Sequence, residues 1–223
     1  MVKDSLEELA HPEYWDKRYS GEDADARKYD WLRQFDTIKP FLTKHLPPPE
    51  SNRSILHLGS GNSTLPADLQ TLGYTTQTAI DFSPVVITAM RTQHPDITWQ
   101  TMDIRHLTFP AQSFDICIDK ATLDAMLYGS LWDPADEVKA NVKAYVDEVA
   151  RVLKPGGLWL YITWRQPHFI RPLLQRDGVW TVEVETLADG GGMLEYFGFV
   201  MRKPTAAVGM IGEVIEPRPS NDR

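Results

Sequence analysis

Short apolar segments alternate with amphipathic segments through this 223-residue chain, and this alternation constrains its fold more than any other feature. Apolar runs typical of buried strands precede patterns typical of helices, which predicts successive βαβ units. Such units favour a mostly parallel, doubly wound sheet with helices on both faces. The predicted strands are 54–58, 75–80, 98–102, 114–119 and 158–164, and the predicted helices among them are 64–72, 84–93 and 134–153.

Two further apolar segments, 180–186 and 193–201, end the pattern. Only the loop Asp189–Gly192 separates them, which is too short for a helical crossover, so we expect an antiparallel hairpin.

Ser83 is the expected cap of the helix that follows it. The run Lys154–Gly157 (KPGG) predicts a helix stop and a turn. The chain is therefore predicted to be an α/β protein with a Rossmann-like, mostly parallel seven-stranded sheet.

The residues before the first predicted strand have a different organisation. Glu13–Tyr19 and Trp31–His45 have amphipathic helical patterns, and the prolines at 47–49 then break regular structure. We expect a single domain over 1–203, composed of N-terminal helices within 1–46 and a core over 54–203, followed by a tail at 204–223.

Charge and residue usage exclude several classes of protein. The net charge of −8 disfavours a nucleic-acid partner and suits a basic one. The single cysteine, Cys117, excludes an internal disulfide, and the scattered histidines give no reason to expect a metal site. No apolar run reaches the ~20 residues of a membrane span, and the first ten residues are too acidic for a signal peptide. We expect a cytoplasmic, or alternatively nuclear, protein without a membrane partner.

A glycine-rich turn, Gly59-Ser60-Gly61, follows the first predicted strand and precedes a helix. Glycines let the backbone approach a ligand, and a helix N-terminus favours polar or anionic groups. Thr64 stands where the dinucleotide fingerprint requires glycine, which weakens a pyrophosphate-binding interpretation. A plain strand–helix turn is the alternative interpretation.

Carboxylates end the next two predicted strands. Asp81 lies 20 residues after Gly61, the spacing at which a carboxylate binds ribose hydroxyls, although it could instead cap a helix. Asp103 can accept a hydrogen bond from an adenine amino group, while Met102 and Ile104 offer apolar contacts to the ring; a surface turn is the alternative. Together these residues indicate an adenosine-containing cofactor.

The fourth predicted strand ends in Asp119 and Lys120. Ligands of open α/β sheets bind at the carboxyl ends of the strands, which makes both residues candidates for a binding site. A surface ion pair is the alternative. Near the same edge, the candidates for an acceptor channel are Asp119, Thr163 and Trp164 at the strand ends, with Tyr128 and Trp132 on the loop between them. For the aromatic residues, core packing is the alternative.

Several motifs together resemble the class I S-adenosylmethionine-dependent methyltransferases: HLGSGNS, AIDFS, TMDI, FDICIDKATLDA and VARVLKPGGLWLYIT. The motifs EYWDKRY, Tyr29-Asp30-Trp31 and DKATLDA resemble a narrower family. This family is the eukaryotic elongation factor 1A lysine methyltransferases of the type-4 and methyltransferase-like 13 group. The similarity extends from about Pro12 to Lys203.

The resemblance implies S-adenosylmethionine as the cofactor and assigns residues to it. Trp15, Tyr19 and Trp31 are expected to close over the cofactor, with Arg18 beside them either pairing with its carboxylate or serving the helix structure. The remaining expected contacts are Gly59 with the methionine part, Asp81 and Phe82 with the ribose and adenine, Met102 and Asp103 with the adenine, and Lys120 next to the cofactor.

The chain departs from the family pattern at two positions. Ser60 stands where the family often has cysteine, and Ala121 stands where it often has glycine. Both differences are small, so they bear on the choice of target more than on cofactor binding.

The function implied by the resemblance is methylation of a lysine on a basic protein, elongation factor 1A. One alternative is a small-molecule methyltransferase of the same fold, which would need a lid over its acceptor. Another is a catalytically silent binding protein that keeps the fold. A nicotinamide dehydrogenase is disfavoured by Thr64 and by the terminal hairpin.

Overall fold

The strands of this computed structural model form one seven-stranded sheet. The structure describes residues 6–21, 32, 34–187 and 195–205. The strands are β1 (Ile55–Leu58), β2 (Gln77–Asp81), β3 (Thr98–Thr101), β4 (Phe114–Lys120), β5 (Leu153–Thr163), β6 (Thr181–Leu187) and β7 (Tyr196–Arg202). The helices are α1 (Pro12–Ser20), α2 (Phe35–His45), α3 (Leu65–Thr71), α4 (Pro84–Gln93), α5 (Thr122–Met126), α6 (Asp136–Val152) and α7 (Pro167–Leu174).

The strand order is β3-β2-β1-β4-β5-β7-β6. The pairs among β1 to β5 are parallel, whereas β7 pairs antiparallel with both β5 and β6. The order reverses between β1 and β4, and ligands of open α/β sheets bind at such a switch point. The predicted seven-stranded, mostly parallel sheet with an antiparallel end is confirmed.

Alternation along the strands divides the core between the two faces of the sheet. Leu56 and Trp159 face a cluster that includes α6 and α7, whereas Ile55 and Leu160 face a cluster that includes α2 and α3. Both faces are covered because residues adjacent along a strand point to opposite sides. The helices thus leave the carboxyl ends of the parallel strands as the edge where a site can form.

The observed bounds of α4 are the predicted ones, and Ser83 caps this helix as expected. The helix stop predicted near Lys154–Gly157 is confirmed, because α6 ends at Val152, but the prediction of a turn there is wrong. β5 already begins at Leu153, and its register against β4 shifts between Phe114 and Ile116, so these residues form an irregularity within the strand. Gly156 allows it, with φ of +76°.

Two short helices, α5 and α7, have no counterpart in the sequence prediction, because each is too short to give a clear periodic pattern. The hairpin loop at 189–192, most of the tail at 204–223, and Trp31 lie outside the described residues. Within the described part of the chain, no helix has the length and hydrophobicity required to cross a membrane. No cluster of potential metal ligands occurs in that same part.

Candidate active site

The turn between β1 and α3 brings its backbone close to a neighbouring helix. Gly59 and Gly61 have positive φ values of +60° and +52°, a conformation that favours glycine. A Cβ at position 59 would lie 2.4 Å from the Cγ2 of Thr122, whose hydroxyl donates to the carbonyls of Leu58 and Gly59. Glycine at this position therefore keeps the end of β1 and the start of α5 in contact.

The carboxylate of Asp81 lies beside this turn. Its Oδ2 accepts a hydrogen bond from the backbone N–H of Gly61 at 2.9 Å, and its Oδ1 accepts from that of Ser83 at 3.0 Å. Burial, only partly offset by these bonds, raises the pKa of Asp81 to about 6. A carboxylate has further lone pairs, so Asp81 retains acceptor capacity for ligand hydroxyls.

Helix α1 lies across this turn. The ring of Tyr19 stacks on Trp15 with the ring centroids 5.8 Å apart, and a Cβ at Gly61 would lie 2.7 Å from the Tyr19 hydroxyl. Burial and the neighbouring Asp81 raise the pKa of Tyr19, so its phenol stays protonated. Asp16 accepts a hydrogen bond from Ser83, which attaches α1 to the start of α4. These contacts make α1 a cover for the switch point.

Asp103 follows β3 and is held in a fixed geometry by Arg105. The Arg105 guanidinium donates to both carboxylate oxygens, with the shortest distance 2.7 Å, and also to Asn141 of α6 at 3.0 Å. Arg105 accordingly lowers the pKa of Asp103 despite partial burial. Asp103 is thus a charged acceptor at neutral pH, and a ligand there would meet an ion pair.

Asp119 does not lie where the sequence predicts it, in the wall of the binding site. It is fully buried and outside the cavity wall. Its oxygens accept hydrogen bonds from the N–H groups of Thr122 and Leu123 and from the hydroxyl of Tyr145. Burial raises its pKa to about 7. The contacts assign Asp119 to holding the start of α5 against α6, which corrects the expectation of cofactor contact.

Asp124 is a second buried carboxylate of this region, and it does reach the cavity. It accepts hydrogen bonds from the hydroxyls of Tyr161 and Thr163, and Arg165 lies 3.4 Å from it. Arg165 in turn donates to the carbonyl of Leu127 and places its guanidinium 5.1 Å from the ring of Trp164. Burial raises the pKa of Asp124 above its ordinary value.

These elements enclose a cavity of about 290 Å³, near the lower end of the range for small-ligand sites. Ten of the residues predicted to bind the cofactor line it: Trp15, Tyr19, Gly59, Ser60, Gly61, Asp81, Phe82, Asp103, Ile104 and Lys120. Trp164, predicted for the acceptor channel, lines it as well. Arg18 and Met102 do not line it. Arg18 donates to the Tyr14 hydroxyl, and Met102 packs into the core below the cavity. Trp31 lies outside the described residues.

Several lining residues are not among those predicted from the sequence. They come from the N-terminal segment, α5, α6 and the end of β5, and include Leu9, Arg105, Thr122, Asp124, Asn141 and Arg165. Two of them, Thr122 and Asp124, belong to the motif DKATLDA, in which the sequence predicts only the first two residues as ligands. Asn141 and Leu9 reach the site through the folding of distant segments, and no local signal identifies them.

The hydrogen-bonding groups and apolar surfaces of the cavity wall suit an adenosine-containing ligand. The glycines leave backbone space, and Asp81 and Asp103 provide charged acceptors for hydroxyl and amino groups. Phe82, Ile104 and the ring of Tyr19 add apolar surface for a base. Lys120 lines the same cavity and brings a positive charge to its wall.

The raised pKa of Asp81 predicts a pH-dependent ligand affinity. Ribose hydroxyls donate to the ionised carboxylate, so binding favours the deprotonated form. With S-adenosylhomocysteine as a probe for the cofactor that the resemblance implies, we expect the affinity to be constant well above pH 6 and to fall as pH drops through about 6, approaching tenfold per unit. Calorimetry across this range measures it, and Asp81→Asn is the control that removes the dependence. An equal pH dependence in both proteins would contradict this assignment.

Comparison with known proteins gives matches over nearly the whole chain. Residues 56–161 match a family described as a methyltransferase domain. Mouse EEF1A lysine methyltransferase 4 is 37% identical over 200 residues, which cover 87% of this chain and 76% of the mouse protein. Human eEF1A lysine and N-terminal methyltransferase is 29% identical over 232 residues, covering 97% of this chain and 32% of the human protein.

Solved structures with the same fold are more distant in sequence. The N-methyltransferase NodS from Bradyrhizobium japonicum, solved with S-adenosyl-l-homocysteine, has a TM-score of 0.59 at 16% identity. That match covers 86% of this chain and 98% of NodS. A protein of echinomycin biosynthesis, described as converting a disulfide bond into a thioacetal group, has a TM-score of 0.65 at 16% identity, with 88% of this chain and 94% of that one covered.

Proposed function

This chain belongs to the class I S-adenosylmethionine-dependent methyltransferases, in the family of the EEF1A lysine methyltransferases, and we propose that it methylates a lysine side chain of elongation factor 1A. The observation that carries the proposal is the 37% identity to mouse EEF1A lysine methyltransferase 4 across most of both chains. The cofactor is S-adenosylmethionine, as the sequence predicted.

The cofactor supplies an electrophilic methyl group on a sulfonium when it is bound. The chain's own residues bind and orient it. Asp81 and the turn around Gly61 provide the acceptors and the backbone space, and Asp103 adds a charged acceptor held by Arg105. Helix α1 covers one side of the site with its stacked Trp15 and Tyr19.

An acceptor lysine must lose its proton before it can attack a methyl group. At a pKa of ~10.4, deprotonation costs about 4.6 kcal/mol at pH 7. The cavity wall includes the apolar side chains of Leu9, Ala125 and Met126, and such an environment disfavours the charged amine. Asp124 adds an acceptor to this wall, while Trp164 presents an aromatic ring. These residues are suited to orienting an alkyl amine.

Salt dependence tests the proposal that the acceptor is a protein. The chain carries a net charge of −8, which favours encounter with a basic protein. We expect labelled methyl transfer to purified eEF1A to slow steeply as salt rises, because salt screens the attraction between the charges of the two proteins, whose range is ~10 Å at 0.1 M salt. The affinity for S-adenosylhomocysteine is expected to change little. Free lysine and small thiols in parallel reactions provide the comparison. Efficient transfer to these small acceptors, with none to eEF1A, would favour the small-molecule alternative.

We also propose that the protein acts in the cytoplasm. Support comes from its one cysteine, Cys117, which is buried and unpaired, as suits a reducing compartment. A translation factor as substrate would be met in the same compartment. Imaging of a fluorescent fusion tests this, and accumulation in an organelle or in the nucleus would contradict it.

A further inference from the structure

Two tryptophans near the cavity are exposed, unlike most large apolar side chains of the described residues. Trp132 is 82% exposed and Trp164 is 42% exposed. The Trp132 ring packs edge-on against Phe169, with centroids 4.8 Å apart, and lies 5.7 Å from the ring of His168. These contacts hold Trp132 in place while leaving most of its surface in water. A fixed, solvent-exposed tryptophan is a typical anchor of protein interfaces.

The position of these rings connects them to the cavity. Trp132 lies on the connection between α5 and α6, and His168 and Phe169 lie in the first turn of α7, just after β5. Both connections follow parallel strands and so lie at the carboxyl edge of the sheet, where the cavity opens. Trp164, which precedes α7, lines the cavity itself.

The residues around Trp132 are acidic. Asp133, Asp136 and Glu137 are all exposed, and Lys139 is the cation that pairs with the two aspartates, at 2.9 and 3.8 Å. Three acids against one lysine leave this segment with a negative charge. We call the surface formed by Trp132, Asp133, Asp136, Glu137, His168 and Phe169 the acidic aromatic rim.

We propose that the acidic aromatic rim docks the basic surface that surrounds the acceptor lysine of the protein substrate. The proposal rests on the function proposed above and adds where the substrate binds. The exposed tryptophan offers a face to a lysine or arginine of the partner, and the carboxylates complement its charge. A small molecule enclosed in the cavity would not reach Trp132, so this surface serves a large acceptor.

The first test uses Trp132→Ala in the full chain. Because the side chain is mostly in water, the variant is expected to keep the thermal stability and the S-adenosylhomocysteine affinity of the unmodified protein. We expect the KM for eEF1A to rise by about tenfold or more, as for an interface anchor, with kcat nearly unchanged. Trp132→Phe is expected to recover much of the loss. An unchanged KM in Trp132→Ala would overturn the proposal.

A matched pair of charge variants separates docking from general electrostatic attraction. Asp133→Asn with Asp136→Asn removes two charges from the rim, whereas Glu50→Gln with Asp96→Asn removes two from exposed positions before β1 and β3. The latter lie at the opposite, amino edge of the sheet. We expect only the rim pair to raise the KM for eEF1A, by several-fold. Equal effects of both pairs would overturn the proposal.

Two other outcomes separate this inference from the proposed function. Normal methylation of eEF1A by Trp132→Ala would support the proposed function but reject the acidic aromatic rim as its docking surface. Failure of the unmodified protein to methylate eEF1A would reject the function, and the rim with it. If sedimentation shows a dimer that Trp132→Ala dissociates, the rim contacts a second copy of this chain, which also overturns the proposal.

Discussion

Replacing Asp81 with asparagine is expected to reduce the affinity for S-adenosylhomocysteine by about 10- to 100-fold at pH 7.5. A hydrogen bond to a charged group contributes ~1.5–3 kcal/mol, and ~1.4 kcal/mol is tenfold in affinity. Asparagine keeps the shape of the side chain and one acceptor oxygen but loses the charge. Calorimetry gives the affinity, and thermal unfolding monitors the fold.

Asp115→Asn is the control for this variant. Asp115 lies near the amino end of β4, where its carboxylate accepts hydrogen bonds from Ser54 and pairs with Arg53 and Lys154. These partners lower its pKa, so its replacement should reduce stability while leaving ligand affinity unchanged. Unaltered affinity in a folded Asp81→Asn protein would show that Asp81 only holds the turn and the start of α4.

Replacing Gly59 with alanine is expected to lower the free energy of unfolding by about 2–5 kcal/mol. The positive φ of +60° costs ~1–2 kcal/mol for a residue with a Cβ. The new Cβ would also lie 2.4 Å from Thr122, and such overpacking costs ~1–3 kcal/mol. Denaturant unfolding measures the loss, and we expect weaker ligand binding as well, because the turn must shift.

Gly129→Ala separates the two contributions to this loss. Gly129 has a similar φ of +72°, but a Cβ there would meet no atom within 4 Å. We therefore expect a loss of only about 1–2 kcal/mol from backbone conformation. Equal losses at the two positions would show that contact with Thr122 does not constrain the turn.

The predictable part of the site follows from one rule about parallel sheets. Strand patterns placed Gly59, Asp81, Asp103 and Lys120 at strand ends, and parallel strands bring their carboxyl ends to one edge. All four line the same cavity. The sequence could predict this much because each strand is locally patterned and the βαβ connection has a fixed hand.

Asp119 also lies at a strand end but does not line the cavity, and the alternation of side chains along β4 explains why. Adjacent residues of a strand point to opposite faces, and Cys117, two residues earlier, faces the α6 side of the core. Asp119 shares that side and reaches Tyr145 of α6. Alternation within FDICIDK could have separated it from Lys120, but its buried partner lies on a helix 26 residues away.

Other parts of the site depend on contacts that no local pattern reveals. Arg105 reaches across to Asn141, 36 residues further along the chain, and the cover provided by α1 depends on a bond from Ser83 to Asp16. Ala121 has a φ of +72°, which accounts for the glycine that the family often has at this position. The substitution was visible in the sequence, whereas its backbone cause was visible only in the structure.

Peptide mapping of purified eEF1A, after incubation with this protein and S-adenosylmethionine, tests the proposed lysine methylation most directly. We expect a lysine of folded eEF1A to gain one or more methyl groups, and Asp81→Asn to slow the gain greatly. Reactions without enzyme and with heat-denatured eEF1A show whether the modification needs the enzyme and the folded surface. If no lysine of eEF1A gains mass while a small amine or thiol is methylated efficiently, the claim of a protein-lysine methyltransferase is contradicted.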